Sequence, residues 1–222
     1  MTNPGTPPDS VGAPPRAAGH DPYAVLRNRD VVLYLIGRLA AAVGQQMVTV
    51  AVGWELYERT HSALALGLVG LTQMLPMLLF TLPAGHVADN HDRKRIIVLM
   101  NLVIACASLG LTLVSALGAG VFWIYFCLFA AGTGRTFLWP ASSAFLPHLV
   151  SREDFSRVVT WSSGSFQLSS VAGPAAGGAL IALTHHAAPV YAVNAVAALT
   201  CLTLISFVRR RHTVAVIGEA HL

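Results

Sequence analysis

Charge is what this chain has least of. Only 11% of its 222 residues are Asp, Glu, Lys or Arg, whereas 55% are hydrophobic, and the mean hydropathy is +0.62. A soluble domain carries roughly 25% charged residues, so a water-facing globular fold is excluded. Cysteine is also scarce: Cys106, Cys127 and Cys201 all lie inside apolar runs, with no CxxC or Cys/His spacing. That excludes a disulfide framework or a zinc site and leaves three small core residues. His86 and His91 have no partner at metal-ligand spacing, and His185 and His186 read as solvated loop residues. A phosphate-cradling P-loop, an HExxH pair and a dinucleotide fingerprint are all missing. A six-helix intramembrane serine protease would need GxSG, and the nearest string, Trp161-Ser162-Ser163-Gly164-Ser165, lacks the leading glycine. No catalytic residue, metal or cofactor is therefore expected, and the chain is not read as an enzyme.

Residues 1–22 hold six prolines and almost nothing large and apolar, which predicts a disordered tail. They lack the basic start and short apolar core of a cleavable signal, so the first hydrophobic segment reads as a retained helix. What remains is long apolar runs. Six are expected as helices, over 31–54, 63–88, 96–118, 121–145, 158–183 and 190–208. Each is close to the roughly 20 residues that cross a ~30 Å hydrocarbon core. Helices are the expected spanning element because lipid offers backbone groups no partner, and the runs are too long for barrel strands. Loops at 59–62, 119–120 and 185–188 are so short that sequential helices are expected to pack as antiparallel neighbours.

The few charges are placed unevenly. Arg16, Arg27, Arg29, Arg93, Lys94, Arg95, Arg152, Arg157, Arg209, Arg210 and Arg211 fall on one side, eleven of the fourteen cations, and the other side holds only Arg59. By the positive-inside rule both termini face the cytoplasm. The pI near 9.3 thus reflects topology rather than nucleic-acid binding.

Between the second and third spans runs GHVADNHDRKR, residues 85–95, a short polar bridge with three consecutive cations. An inside loop is expected to be basic, but that does not explain Gly85 one helical turn before Asp89. The layout Gly85-x-x-x-Asp89-x-x-Asp92-Arg93-Lys94-Arg95 resembles the signature between the second and third helices of the major facilitator superfamily. The Asp-Arg-Lys-Arg form is similar to the branch of enterobactin exporters and macrolide efflux proteins. Asn90 stands where that family usually has Arg, and Asp92 where it often has Gly. The resemblance implies a conformational latch: Gly85 lets a neighbouring helix approach, and Asp89 pairs with a loop cation or a helix N-terminus.

In the fifth span, Gly173-Pro174-Ala175-Ala176-Gly177-Gly178 follows Ser165 and Ser169. Proline bends the helix axis, and small residues every fourth position make a smooth face for another helix. The GPxxGG string resembles the fifth-helix signature of exporters in the same superfamily, with Ser169 in place of its leading glycine. Weaker resemblances run in order through Gly44-x-x-Met47, Thr60-x-Ser62, Leu75-Pro76, Trp139-Pro140-Ala141 and Leu146-Pro147-x-Leu149-Val150.

Polar residues inside spans are the site candidates. A charge at the bilayer centre costs at least ~2.5–3.5 kcal/mol on insertion scales, so it normally faces protein or water. Arg135 lies too deep to snorkel, and the resemblance puts the first and fourth helices around a central cavity. Arg38 lies nearer the inner surface, where snorkelling is the plainer reading. Gln45 and Gln46 sit mid-helix, and at least one is expected to avoid lipid. Glu55 is the one carboxylate near the first span available for proton coupling; beside Glu58 and Arg59, it also reads as an interfacial residue.

The fold class expected is an all-α membrane protein with six transmembrane helices, the N-terminal half of a major facilitator fold built as a 3+3 inverted repeat. The bundle covers 23–211, between cytoplasmic tails 1–22 and 212–222. The resemblance implies a secondary transporter in the cell (inner) membrane, exporting small hydrophobic or amphipathic compounds on an ion (proton) gradient. Its expected partners are the lipid bilayer, a small-molecule substrate and a second six-helix bundle, with no nucleic acid. The alternative is a non-transporting membrane interaction protein or remnant that pairs with other bundles.

Overall fold

The structure, a computed structural model, describes residues 27–208 except Leu149 and Ser151. The expected tails, with Arg16, Arg209, Arg210 and Arg211 of the cation tally, lie outside the described residues. Six helices follow in order: α1 Arg29–Thr60, α2 Ala63–Asn90, α3 Arg93–Ala116, α4 Val121–Phe145, α5 Arg152–Thr184 and α6 Ala188–Phe207, with a 3-10 turn Leu146–His148 after α4. All six are long and apolar enough to cross a membrane, and no strand occurs among the described residues.

Capping chemistry sets several boundaries. The Asn28 side chain accepts from the Asp30 N–H and starts α1 two residues before the expected position. At its far end α1 continues through Glu55, Glu58 and Arg59 to Thr60, because Glu55 and Arg59 pair one turn apart. His61 then ends it in the left-handed conformation, φ 48°. Asp92 accepts from the Lys94 N–H and starts α3 at Arg93. The bridge expected over 85–95 therefore shrinks to His91 and Asp92; Gly85 is in the last turns of α2, and the three cations form the first turn of α3.

Short loops do not make sequential pairs. The extensive helix contacts are α1 with α5 and α6, α3 with α4 and α6, and α2 with α4; α1 touches α2, and α2 touches α3, only slightly. The expectation that sequential helices pack as neighbours holds for α3 and α4 alone. A short loop fixes one end of a helix pair, whereas contact along the length needs complementary faces. Those faces lie elsewhere in the chain.

The contact pattern maps onto itself when α1, α2 and α3 are exchanged with α4, α5 and α6: α1–α5 becomes α4–α2, α1–α6 becomes α4–α3, and α3–α6 is unchanged. That is the 3+3 repeat. Small residues make these contacts close, as lipid-embedded helices require. A Cβ on Gly44 would stand 2.6 Å from Asn194 Oδ1 of α6, one on Gly132 3.1 Å from Pro76 Cγ of α2, and one on Gly134 3.3 Å from Met100 O of α3. Two apolar clusters close the ends. Tyr34, Ile97, Phe145 and Ile205 belong to one; Val52, Leu56, Leu111, Leu128 and Tyr191 belong to the other. Cys127 and Cys201 are buried as expected, but Cys106 is exposed on the outer face of α3. Only 11% and 22% of the most apolar stretches of α2 and α5 are buried, against 39–44% in the other helices. Those two helices therefore leave most of their surface for lipid or another bundle.

Candidate functional site

A cavity of about 170 Å³ lies between α1, α3, α4 and α6, with Phe166 of α5 at its edge. Its polar lining is Arg38 and Gln45 from α1, Asn101 from α3, Arg135 and Ser142 from α4, and Asn194 from α6. Arg38 and Arg135 each stand nine or ten residues, about 14 Å of helix, from the same end of the bundle. Arg38 Nη1 donates to Tyr34 Oη at 3.4 Å, and its guanidinium lies 5.8 Å from the Tyr34 ring centroid, within the range of cation–π attraction. Arg135 Nη2 donates to Gln73 Oε1 of α2 at 2.9 Å. Both arginines thus have protein partners, and the guanidinium of Arg38 leans one turn toward the start of α1, the direction that snorkelling also takes.

Sequence reasoning missed Gln73, the partner of Arg135, and two asparagines of the cavity lining. Asn194 Nδ2 donates to Ser108 Oγ at 2.7 Å, joining α6 to α3, and Asn101 Nδ2 donates to Ile97 O at 2.8 Å. Asn101 and Asn194 are both buried. The signal was present: each is an isolated amide in an otherwise apolar span, which lipid disfavours unless it has a partner. Of the two glutamines, Gln45 lines the cavity, but Gln46 does not. Its Cβ is 2.5 Å from where a Cβ on Gly173 would stand, so Gln46 belongs to the α1–α5 contact.

That contact carries the fifth-helix motif. Ser169, Gly173 and Gly177 are buried on one face of α5. A Cβ on Gly173 would also meet Val43 O at 3.0 Å, and one on Gly177 would meet Met47 Cα at 3.0 Å. Ser169 Oγ donates back to Ser165 O, which keeps its hydroxyl satisfied inside the contact. Gly178 meets nothing within 4 Å; it lies off the packed face, while Pro174 is inside the helix.

The residues of the polar bridge divide differently from expectation. Gly85 has open space within 4 Å of its Cβ position, so no helix of the described chain approaches it. Asp89 is exposed and makes no ion pair among the described residues. The acid joined to a bridge cation is Asp92, 3.4 Å from Arg95 Nε, because its position at the start of α3 brings it beside the first-turn side chains. Lys94 reaches across instead: its Nζ donates to Ser206 O at 2.7 Å and Val208 O at 2.8 Å, satisfying carbonyls at the end of α6. Arg93 is half-buried.

Glu55 lies at the other end of the bundle from the cavity. It is 4% exposed, accepts from Tyr191 Oη at 2.7 Å and pairs with Arg59 Nη2 at 2.6 Å. Arg59 Nη1 in turn donates to Ala119 O at 2.7 Å. The group read as a proton-coupling or interfacial carboxylate is a buried knot tying α1, α6 and the α3–α4 turn. Burial leaves its charge dependent on both donors. Glu55→Ala should therefore cost about 3 kcal/mol, leaving Arg59 unpaired and Tyr191 without its acceptor. Tyr191→Phe should cost about 1 kcal/mol. Thermal unfolding in mild detergent checks both, and an unchanged midpoint for Glu55→Ala would show that the knot does not hold the bundle together.

Among the described residues no group of His, Cys, Asp or Glu is placed to hold a metal. The sequence profile of the transmembrane secretion effector family matches residues 20–221. Macrolide efflux protein A of Streptococcus pyogenes is 28% identical over 78% of this chain and 43% of its own length. The Staphyloferrin A transporter of Staphylococcus aureus is 27% identical over 73% of this chain and 42% of its own. Multidrug efflux pump Tap of Mycobacterium tuberculosis is 31% identical over 68% of this chain and 37% of its own. The chain thus spans less than half the length of these relatives, all of which are named for transport rather than catalysis.

Proposed function

Since the chain belongs to the transmembrane secretion effector family of the major facilitator superfamily, we propose that it is one six-helix wall of a secondary exporter. The exporter moves small hydrophobic or amphipathic compounds outward on an ion gradient. The observation that carries this reading is the cavity between α1, α3, α4 and α6, where two arginines and three amides meet inside an apolar bundle. Polar groups at membrane depth are costly, and those retained normally mark a path or site. Transporters of this architecture place substrate near the midplane, between two six-helix units. The exposed lengths of α2 and α5 suit the contact with that second unit.

In this reading the positively charged end of the bundle is cytoplasmic, and the cavity lies in the inner half of the membrane. Reporter fusions at Arg95 and Arg157 are expected to give a cytoplasmic signal, and fusions at Thr60 and His186 an external one. An external signal at Arg95 would overturn the orientation.

The bridge supplies the latch. Asp89 is exposed and makes no ion pair among the described residues; in this reading its partner is a group of the opposing bundle. Asp89→Asn in a transport-competent assembly is expected to cut efflux about tenfold, with membrane insertion and thermal stability unchanged. Asp92→Ala is expected instead to lower stability by about 1 kcal/mol, since the Asp92 side chain caps α3. Efflux measured in energised vesicles tests both the function and the latch; undiminished efflux in Asp89→Asn would reduce the bridge to a topology signal.

A further inference from the structure

The cavity carries positive charge that no carboxylate of its lining balances. Arg38 donates to a phenol and Arg135 to an amide oxygen, both neutral. Each guanidinium has five N–H donors, so most remain available. The only buried carboxylate among the described residues is Glu55, held by Arg59 and Tyr191 at the far end of the bundle. Asn101 and Asn194 direct N–H donors to Ile97 O and Ser108 Oγ, so the amides do not compensate the charge. The remaining wall is apolar, with Ile104, Leu138, Ala198 and Phe166 facing the same space.

On the reading of this cavity as the substrate site, we infer that its ligands are organic anions: a carboxylate carried on an apolar body. Arg38 and Arg135 receive the anionic group, and the apolar wall receives the rest. Two cations on one cavity wall attract such a group and repel an ammonium of the same size. A guanidinium also matches the planar carboxylate through paired N–H donors. The inference narrows the amphipathic compounds of the proposed export to one charge class.

Three probes of one shape separate the possibilities: 2-naphthoate, 2-naphthamide and 2-naphthylmethylammonium. Their binding to the chain in phosphatidylcholine nanodiscs, measured by equilibrium dialysis against empty nanodiscs, is expected to be at least tenfold tighter for naphthoate than for naphthamide, with the ammonium weakest. Arg38→Gln and Arg135→Gln should each weaken naphthoate about tenfold and leave naphthamide unchanged, which also verifies that the variants fold. Arg135→Lys should retain part of the preference. An equal loss of naphthoate and naphthamide binding in the Gln variants would overturn the inference, because the arginines would then be structural. Equal binding of all three probes, abolished by the cavity-filling Ala42→Trp (or Ala42→Leu if tryptophan prevents folding), would overturn the anion preference and leave the cavity as a binding site. Binding that Ala42→Trp and Ala42→Leu do not alter, or no binding at all, would overturn the cavity reading itself and the inference with it.

Discussion

Gly177→Leu is expected to separate α5 from α1 and abolish the folded bundle, whereas Gly178→Leu, one residue on, is expected to be nearly silent. The two glycines are neighbours in the same motif, yet a Cβ at 177 would press on Met47 Cα at 3.0 Å and Met47 O at 3.1 Å, and a Cβ at 178 meets nothing within 4 Å. Backbone cannot rotate away as a side-chain tip can, so the helices must move apart. Overpacking costs about 1–3 kcal/mol and more where relief needs a helix to shift. Gly177→Leu should reach at least about 3 kcal/mol on that scale, and Gly178→Leu should stay within about 0.5 kcal/mol. Gly173→Leu should match Gly177→Leu, since Val43 O and Gln46 Cβ stand against it. Denaturant titration in detergent with size-exclusion profiles reads the difference. Equal stability of the 177 and 178 variants would place that face of α5 toward lipid and remove the structural basis of the exporter motif.

The second expected result is a complete one: the 222-residue chain, reconstituted as a monomer, drives no gradient-dependent efflux. One bundle contributes one wall, and alternating access is a rocking of two units about a shared site. The chain spans 43% of the length of macrolide efflux protein A, and its α2 and α5 present apolar flanks with little covering them. The end of the bundle away from the cavity is tied by the Glu55–Arg59–Tyr191 knot, so opening there within a single unit would have to break buried charge contacts. Mass determination in mild detergent, followed by efflux of a fluorescent amphiphile under an imposed pH gradient, checks this. Efflux is expected only when the chain meets another six-helix unit, either a second copy or a complementary half. A strictly monomeric species that exports would overturn the account of the chain as one wall of a two-bundle machine.

How far the sequence alone reaches is visible residue by residue. It determined the six spans, because an apolar run of some twenty residues in lipid has only the helix as a way to satisfy its own backbone. It determined which end of the bundle collects cations, since a charge count needs no contacts. It also marked the small-residue face at Ser169, Gly173 and Gly177, because absence of bulk is a property of the residue itself. Only the tertiary structure decided what meets that face, and it is Val43, Gln46 and Met47 of a helix more than a hundred residues earlier. It decided that, among the described residues, Gly85 meets nothing and Asp92 rather than Asp89 pairs with a cation, and that Lys94 reaches α6. It placed Glu55 in a buried knot with Arg59 and Tyr191 and put Arg38 and Arg135 in the lining of one cavity. The physical reason is common to all of these. A spanning helix is specified by its own composition against lipid, but a charge or a gap acquires its role from whichever helix packs across from it, and short loops leave that choice to complementary faces far apart in the chain.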